Sequence, residues 1–314
     1  MNLEFEKPVS DIEDKITELK GQHPEPSDKV NAQIAKLEED RIASLKEIYA
    51  KLTPWQTVQV ARHANRPLIS DFIAGLTSDF TELHGDRLFG DDHGIIGGFA
   101  MIEGHRAMLI GHQKGKSTEE NVKCNFGMAR PEGYRKAMRL MHLAEKFNLP
   151  VISFIDTPGA FPGVEAEERG QAEAIARNLL EMAALRTPVI VIITGEGGSG
   201  GAVGIGVGDA ILMLSNAVYS VISPEGCASI LWRDGTKAPE AANALKITAK
   251  SLLELKVIDE IIPEPVGGAH RNYVDTMKAV KKALLKHLSR LQKTSPRKLT
   301  VRRFAKFAAM GRFR

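Results

Sequence analysis

The chain has 314 residues, of which 43% are hydrophobic and 26% charged, with a formal net charge of +3. This is the composition of an ordinary globular protein, long enough for one large domain or two smaller ones. Two cysteines, Cys124 and Cys227, without a C-x-x-C pair exclude a disulfide framework and a zinc site within the chain. The acid-bearing N-terminus and the short apolar runs predict neither a signal peptide nor a membrane span, so a reducing cytoplasm is the expected compartment.

Residues 1–53 predict a charged helical extension, with one helix from about Ser10 and a longer one over Lys29 to Leu52, separated by Gly21-Gln-His-Pro-Glu-Pro26. Val30, Ile34, Leu37, Ile42, Leu45 and Ile48 form an apolar stripe that needs a surface to cover it. From Pro54 come two short helices, Trp55 to Ala64 and Leu68 to Thr77, then a polar turn over Glu82 to Arg87. Gly94 to Ile102 and Arg106 to His112 predict a strand pair joined at Glu103-Gly-His. Gln113 to Phe126 reads as a polar loop; Lys114 and Lys116 in it, with His112 before it, either meet a phosphate or acidic ligand or stay solvated. Pro131 to Asn148 predicts a helix with proline at its start and Tyr134, Ala137, Leu140, Met141 and Ala144 inward.

The chain is organised around residues 151–202. Val151 to Asp156 and Pro188 to Thr194 are non-alternating Val/Ile-rich runs, as expected of strands covered on both faces. Each runs into a glycine-rich turn, Thr157 to Gly163 and Gly195 to Ala202. Between them Glu165 to Leu185 predicts one helix with Ala172, Ile175, Ala176, Leu179, Met182 and Ala183 inward. The second turn is mostly backbone, and amides at a helix start favour an anion. Gly195, Gly197 and Gly200 satisfy the dinucleotide spacing, but no acid lies in Ser215 to Ser223 for the ribose. A phosphate-binding lysine is absent, since Gly201 stands in its place. Gly197-Gly-Ser-Gly-Gly201 also matches a nucleophile elbow, for which Asp209 or Asp259 and His270 are the available partners of Ser199. The favoured reading is an oxyanion hole built from the Gly200 and Gly201 amides. A turn that merely packs a helix on the sheet is the plain alternative. On the favoured reading, Gly201→Val is expected to fold and assemble yet lose activity.

Further on, Ala210 to Leu214, Tyr219 to Ile222 and Val257 to Ile262 predict strands, Ser223-Pro-Glu-Gly226 a capped helix start, and Thr248 to Leu255 and Val274 to Leu291 helices. From Lys281 onward there are twelve Lys or Arg and no acid, with Phe304, Phe307 and Phe313 interleaved. Such a tail attracts nucleic acid or an acidic membrane surface; docking on an acidic partner subunit is the preferred reading.

Gly85-Asp-Arg87, Gly111-His-Gln-Lys-Gly115, Asn125-Phe-Gly-Met128, Pro131 to Lys136, Asp156-Thr-Pro-Gly159, Ala166 to Gln171, Gly195 to Ala202, Ser220 to Gly226 and Glu264 to His270 occur in order. Together they resemble the carboxyltransferase alpha subunits of bacterial acetyl-CoA carboxylase over about residues 1–270. The resemblance implies an α/β crotonase-like fold of repeated strand–strand–helix units over 54–280, with 1–53 as extension and 281–314 as a basic helical tail. It also implies an assembly of two alpha and two beta subunits, with the zinc ribbon on beta. The implied reaction moves a carboxyl group from carboxybiotin, borne on a separate biotin carboxyl carrier protein and loaded by biotin carboxylase, to acetyl-CoA. Malonyl-CoA for fatty acid synthesis is the product. Gly200 and Gly201 match the positions whose amides hold the biotin ureido oxygen, with Gly159, Ala160, Phe161, Gly197 and Gly198 as the expected pocket. A self-sufficient hydratase of this fold would need a glutamate after the glycine turn, and none occurs between Ala202 and Gly208. A pure scaffolding role would leave the glycine turn unexplained.

Overall fold

The computed structural model describes residues 3–311. Two antiparallel helices, α1 (Lys7–Gln22) and α2 (Asp28–Ala50), form the extension. They are fastened to the body by Arg271, whose guanidinium reaches Glu6 at 2.6 Å and Glu13 at 2.7 Å. The α2 stripe is buried fully only at Leu45, while Ile42 is exposed. Helices α3 (Pro54–Ala61), opened by a Thr53/Gln56 capping box, and α4 (Ile69–Leu76) lead into the sheet.

The sheet begins with β1 (Asp79–Glu82), where the sequence predicted only a polar turn from Glu82. Four mostly exposed residues at an edge carry no apolar pattern, so this strand exists only through its pairing with β2 (Ile95–Ile102). β2 turns back on β3 (His105–His112) through Glu103 and Gly104, both at positive φ as a tight two-residue hairpin requires. The predicted loop after β3 contains a short helix, α5 (Thr118–Lys123), and a run of left-handed residues, Asn125, Phe126 and Gly127. Helix α6 (Pro131–Lys146) buries all five predicted inward residues completely.

β4 (Val151–Thr157) is buried along its whole length. The helix predicted over 165–185 is two helices, α7 (Val164–Glu168) and α8 (Gln171–Ala184), broken at Gly170 with φ +82°. The buried line of α8 is Gln171, Ala174, Asn178 and Met182; Ala172 and Ala176 face out. Gln171 and Asn178 are inside because their amides donate to the carbonyls of Ala129, Phe161, Tyr134 and Gly204.

β5 (Val189–Gly198) is longer than predicted, and the first half of the glycine-rich turn belongs to it. Helix α9 (Ser199–Val203) has only five residues. There follow β6 (Ala210–Leu214), β7 (Val218–Ser220), α10 (Pro224–Trp232), α11 (Ala238–Ala244), α12 (Ala249–Glu254) and β8 (Glu260–Ile262), shorter than the predicted 257–262. Ser223 caps α10 as expected, its hydroxyl accepting from the Gly226 amide. In the sheet the order is β1-β2-β3-β4-β5-β6-β8; β3 onward is parallel, and β7 pairs with the far end of β5 and bridges Thr248 through Val218.

Helix α13 (Tyr273–Leu291) runs unbroken past Lys281, burying Val280, Leu284 and Leu288. A further helix, α14 (Pro296–Ala308), carries five of the tail's twelve basic residues. Arg303 of α14 is fully buried. It donates to the carbonyls of Met182, Leu185 and Thr187 and pairs with Asp209 at 2.7 Å. The tail therefore packs on its own chain through Arg303, while Arg297, Lys298 and Arg302 stay exposed. Phe304 is exposed, whereas Phe307 packs on the core; Phe313 lies outside the described residues. No helix among the described residues is long and apolar enough to cross a membrane.

Candidate active site

The glycine-rich turns after β4 and β5 meet backbone to backbone. A Cβ on Gly201 would run into the Gly159 carbonyl carbon and lie 2.6 Å from the Ala160 nitrogen. One on Gly198 would strike the Pro158 carbonyl oxygen, and one on Gly197 would stand 2.7 Å from the Tyr219 ring. Glycine is needed at these three positions for close approach. A side chain at 201 would thus collide with the neighbouring turn, so the expectation that Gly201→Val folds normally is overturned.

Gly200 and Gly159 differ from these. A Cβ on Gly200 would meet only the Ile175 side chain at 3.5 Å, and one on Gly159 only the Ser199 Cβ at 3.9 Å. Gly200 and Gly201 lie in the first turn of α9, where N–H groups have no carbonyl four residues back within the helix. Gly201 is buried, whereas Gly200, Gly159 and Ala160 are half-buried. Alongside lies an apolar pocket of about 290 Å³ walled by Ser199, Val203, Tyr219, Val221, Leu252 and Val257. Phe161 sits to one side: its amide donates to Ala129, and its ring lies 4.8 Å from the Arg130 guanidinium carbon.

Ser199 is exposed and held at φ +52°, the left-handed conformation a nucleophile elbow also uses. The partners for hydrolysis are elsewhere. Asp209 accepts from the Val189 amide and Arg303, and Asp259 from the Ile211 amide and Lys306. Both acids therefore sit at the starts of β5 and β6, whereas Ser199 follows the end of β5. His270 stacks on His63 at 4.0 Å. Burial, with His63, Arg271 and Arg66 nearby, pushes its pKa down to about 3. No Ser–His–Asp arrangement forms among these residues.

The cationic loop is also used internally. Lys114 pairs with Asp156 at 2.6 Å and Lys116 with Asp71 at 2.5 Å, so neither waits for an acidic ligand. His112 is buried beside the Gly201 and Phe154 backbone. Burial lowers its pKa to about 4, outweighing the attraction of Asp156.

Two arginines that sequence reasoning missed support the end of β5. Arg62 bridges Glu196 at 2.6 Å and Glu225 at 2.5 Å. Arg66 binds the Thr194 carbonyl at 2.6 Å and Glu264 through both carboxylate oxygens. Burial alone would raise the Glu264 pKa, but Arg66 and the amides of Asn216 and Ala269 hold it below the usual range. Nothing in Arg62-His-Ala-Asn-Arg66 marks these roles, because their partners are more than 125 residues away.

Residues 2–311 match the family model described as acetyl co-enzyme A carboxylase carboxyltransferase-like. The chain is 57% identical to the acetyl-coenzyme A carboxylase carboxyl transferase subunit alpha of Geobacter metallireducens, over 99% of this chain and 98% of that protein. It is 54% identical to the same subunit of Nitrosomonas europaea, over 99% and 97%. Among solved structures it is similar to a Pseudomonas malonate decarboxylase hetero-tetramer in complex with coenzyme A (TM-score 0.60, 15% identity, 76% of this chain and 95% of that one). It is also similar to the transcarboxylase 12S (TM-score 0.57, 21% identity, 71% and 42%). These two likenesses establish the fold, which is the crotonase-like one predicted. The match along nearly the whole length makes the chain a member of the acetyl-CoA carboxylase carboxyltransferase alpha-subunit family.

Proposed function

We propose that this subunit contributes to carboxyl transfer chiefly through the backbone N–H groups of Gly200 and Gly201. The observation carrying this is the contact of two glycine turns at Gly201 and Gly159–Ala160, beside an open face at Gly200 and Gly159. Carboxybiotin, held on a separate carrier protein, supplies an activated carboxyl group whose departure leaves negative charge on the ureido oxygen. Gly200 and Gly201 donate to that oxygen from a preorganised helix start, so no donor has to turn during reaction. The backbone of Gly159 and Ala160 forms the facing wall, and Gly197 and Gly198 carry the donors close to it. Phe161, anchored by Ala129 and Arg130, borders the entrance. The beta subunit, in an assembly of two alpha and two beta chains, supplies the acetyl-CoA side and the zinc ribbon. Biotin carboxylase recharges the carrier, and the whole works in the cytoplasm to make malonyl-CoA for fatty acid synthesis.

The test is malonyl-CoA decarboxylation with free biotin, by this chain alone and with its beta subunit. Activity only in the mixture is expected, and activity of the chain alone would sink the split-site reading. The donor role is tested by Gly200→Pro, which deletes one amide hydrogen. Ser199→Gly is the shared background, because the residue before a proline tolerates helical conformations poorly. Gly200→Pro should lose about a hundredfold to a thousandfold in kcat, whereas Gly200→Ala keeps the donor and should retain activity.

A further inference from the structure

The ladder between β4 and β5 breaks where the glycine turn begins. Ile155 pairs with Ile193, but the next pair is Thr157 with Gly197. One residue of β4, Asp156, therefore stands opposite three of β5, Thr194, Gly195 and Glu196. Such a bulge leaves backbone groups outside the ladder and bends the strand. Here two side chains replace the missing backbone partners. Arg66 donates to the Thr194 carbonyl at 2.6 Å, and Asp156 Oδ1 accepts from the Glu196 amide at 3.0 Å. The same Oδ1 accepts from Lys114 Nζ at 2.6 Å. Gly195 allows this, since a Cβ there would run into the Asp156 carboxylate. Past the bulge, β5 leaves β6 and pairs with β7 over Glu196 to Gly198, and α9 starts at Ser199.

We propose that Asp156, held by Lys114, is a positioning residue for carboxyl transfer: it fixes the bulge that aims the Gly200 and Gly201 amides. The proposal rests on the oxyanion reading above. Lys114 is itself braced, its stem packed against Gly127 in the left-handed run Asn125-Phe126-Gly127. The side chains of both Lys114 and Asp156 are largely withdrawn from solvent, so the Lys114 charge stays on the carboxylate. Asp156 touches no reacting atom in this scheme; it acts through the Glu196 N–H. A misplacement of about 1 Å caused by a change away from the reacting atoms can cost about a hundredfold in rate.

Two double variants isolate that hydrogen bond in the complex with the beta subunit. Lys114→Met with Asp156→Ala removes both charges and the acceptor; Lys114→Met with Asp156→Asn removes both charges and keeps an acceptor. With malonyl-CoA and free biotin, the alanine pair should lose about ten- to a hundredfold in kcat with KM for malonyl-CoA within about twofold. The asparagine pair should recover most of it. Equal kcat in the two, or a loss carried by KM, overturns the proposal. If the alanine pair does not assemble, Lys114→Arg against Lys114→Met decides: arginine should keep kcat, methionine should lower it, and equal values overturn the proposal. The Gly200→Pro comparison separates the failures. Loss there with equal double variants leaves the oxyanion reading standing, whereas retained activity in Gly200→Pro removes both.

Discussion

The two ends of β5 are built with the same parts for different ends. At its start, Arg303 gathers three carbonyls and the Asp209 carboxylate, and Asp209 in turn accepts from the Val189 amide. At its finish, Arg66 takes one carbonyl and the Glu264 carboxylate, while Asp156 takes the Glu196 amide. Each arginine is buried, and each satisfies backbone carbonyls: Arg303 those at the end of α8 and in the approach to β5, Arg66 one that leaves the ladder. At the start the clamp ties a terminal helix to the core, so its loss is felt as stability. At the finish the clamp surrounds a bulge and a glycine turn, so its loss is felt as misdirected amides. A buried ion pair reports on function only through what its backbone partners carry.

The strongest test of this contrast is Arg303→Met. It leaves Asp209 unpaired and three carbonyls without their donor, and should cost about 3–5 kcal/mol of stability. Denaturant unfolding should show the loss, while kcat per assembled site stays unchanged; a kcat loss without destabilisation would erase the distinction between the two ends. Next in size is the pH response of the functional end. His112 is neutral when folded and ionises near pH 4, while the unfolded chain ionises near the usual value of about 6.5. Its contribution to stability is therefore complete above about pH 6.5 and is lost as pH falls toward 4, amounting to about 3 kcal/mol. His270, lowered to about 3 by burial and neighbouring cations, acts in the same direction. Unfolding measured from pH 7 to 4.5 should steepen downward, and His112→Gln should flatten the curve by the His112 share.

A smaller effect is expected from Gly198→Ala, whose methyl would press on the Pro158 carbonyl. Overpacking of this kind costs about 1–3 kcal/mol, and because it displaces the turn itself, kcat should fall as well. The smallest belongs to Glu225→Gln. Glu225 is 41% exposed beside Arg62, and such pairs contribute about 0–1 kcal/mol. Neither unfolding nor kcat should move appreciably; a large kcat loss would mean that Arg62 also directs the glycine turn.

Much of the scaffold was legible because burial imposes a pattern. β4, β5 and α6 announced themselves by continuous apolar runs or by a helical stripe, and Ser223 by its place ahead of Pro224. β1 was not legible, since an exposed four-residue edge strand has no core face to mark it. The break at Gly170 and the inward Gln171 and Asn178 were hidden because polar residues enter a core only when distant carbonyls receive them. The same limit applied to the site. The glycines stood out, but half of the supposed turn is strand, and that follows from pairing with β7.

The sequence by itself determined the fold class, the family and the position of the glycine turns, because these reside in local patterns and ordered motifs. The tertiary structure decided which glycine tolerates a side chain, which carboxylates are occupied, and where the basic tail goes. Asp209 and Asp259 looked available to Ser199 in the sequence, yet a parallel sheet puts strand starts and strand ends on opposite edges, and Arg303 and Lys306 hold both acids at the starts. Contacts of that kind depend on register and direction across the sheet, which no single stretch of chain contains.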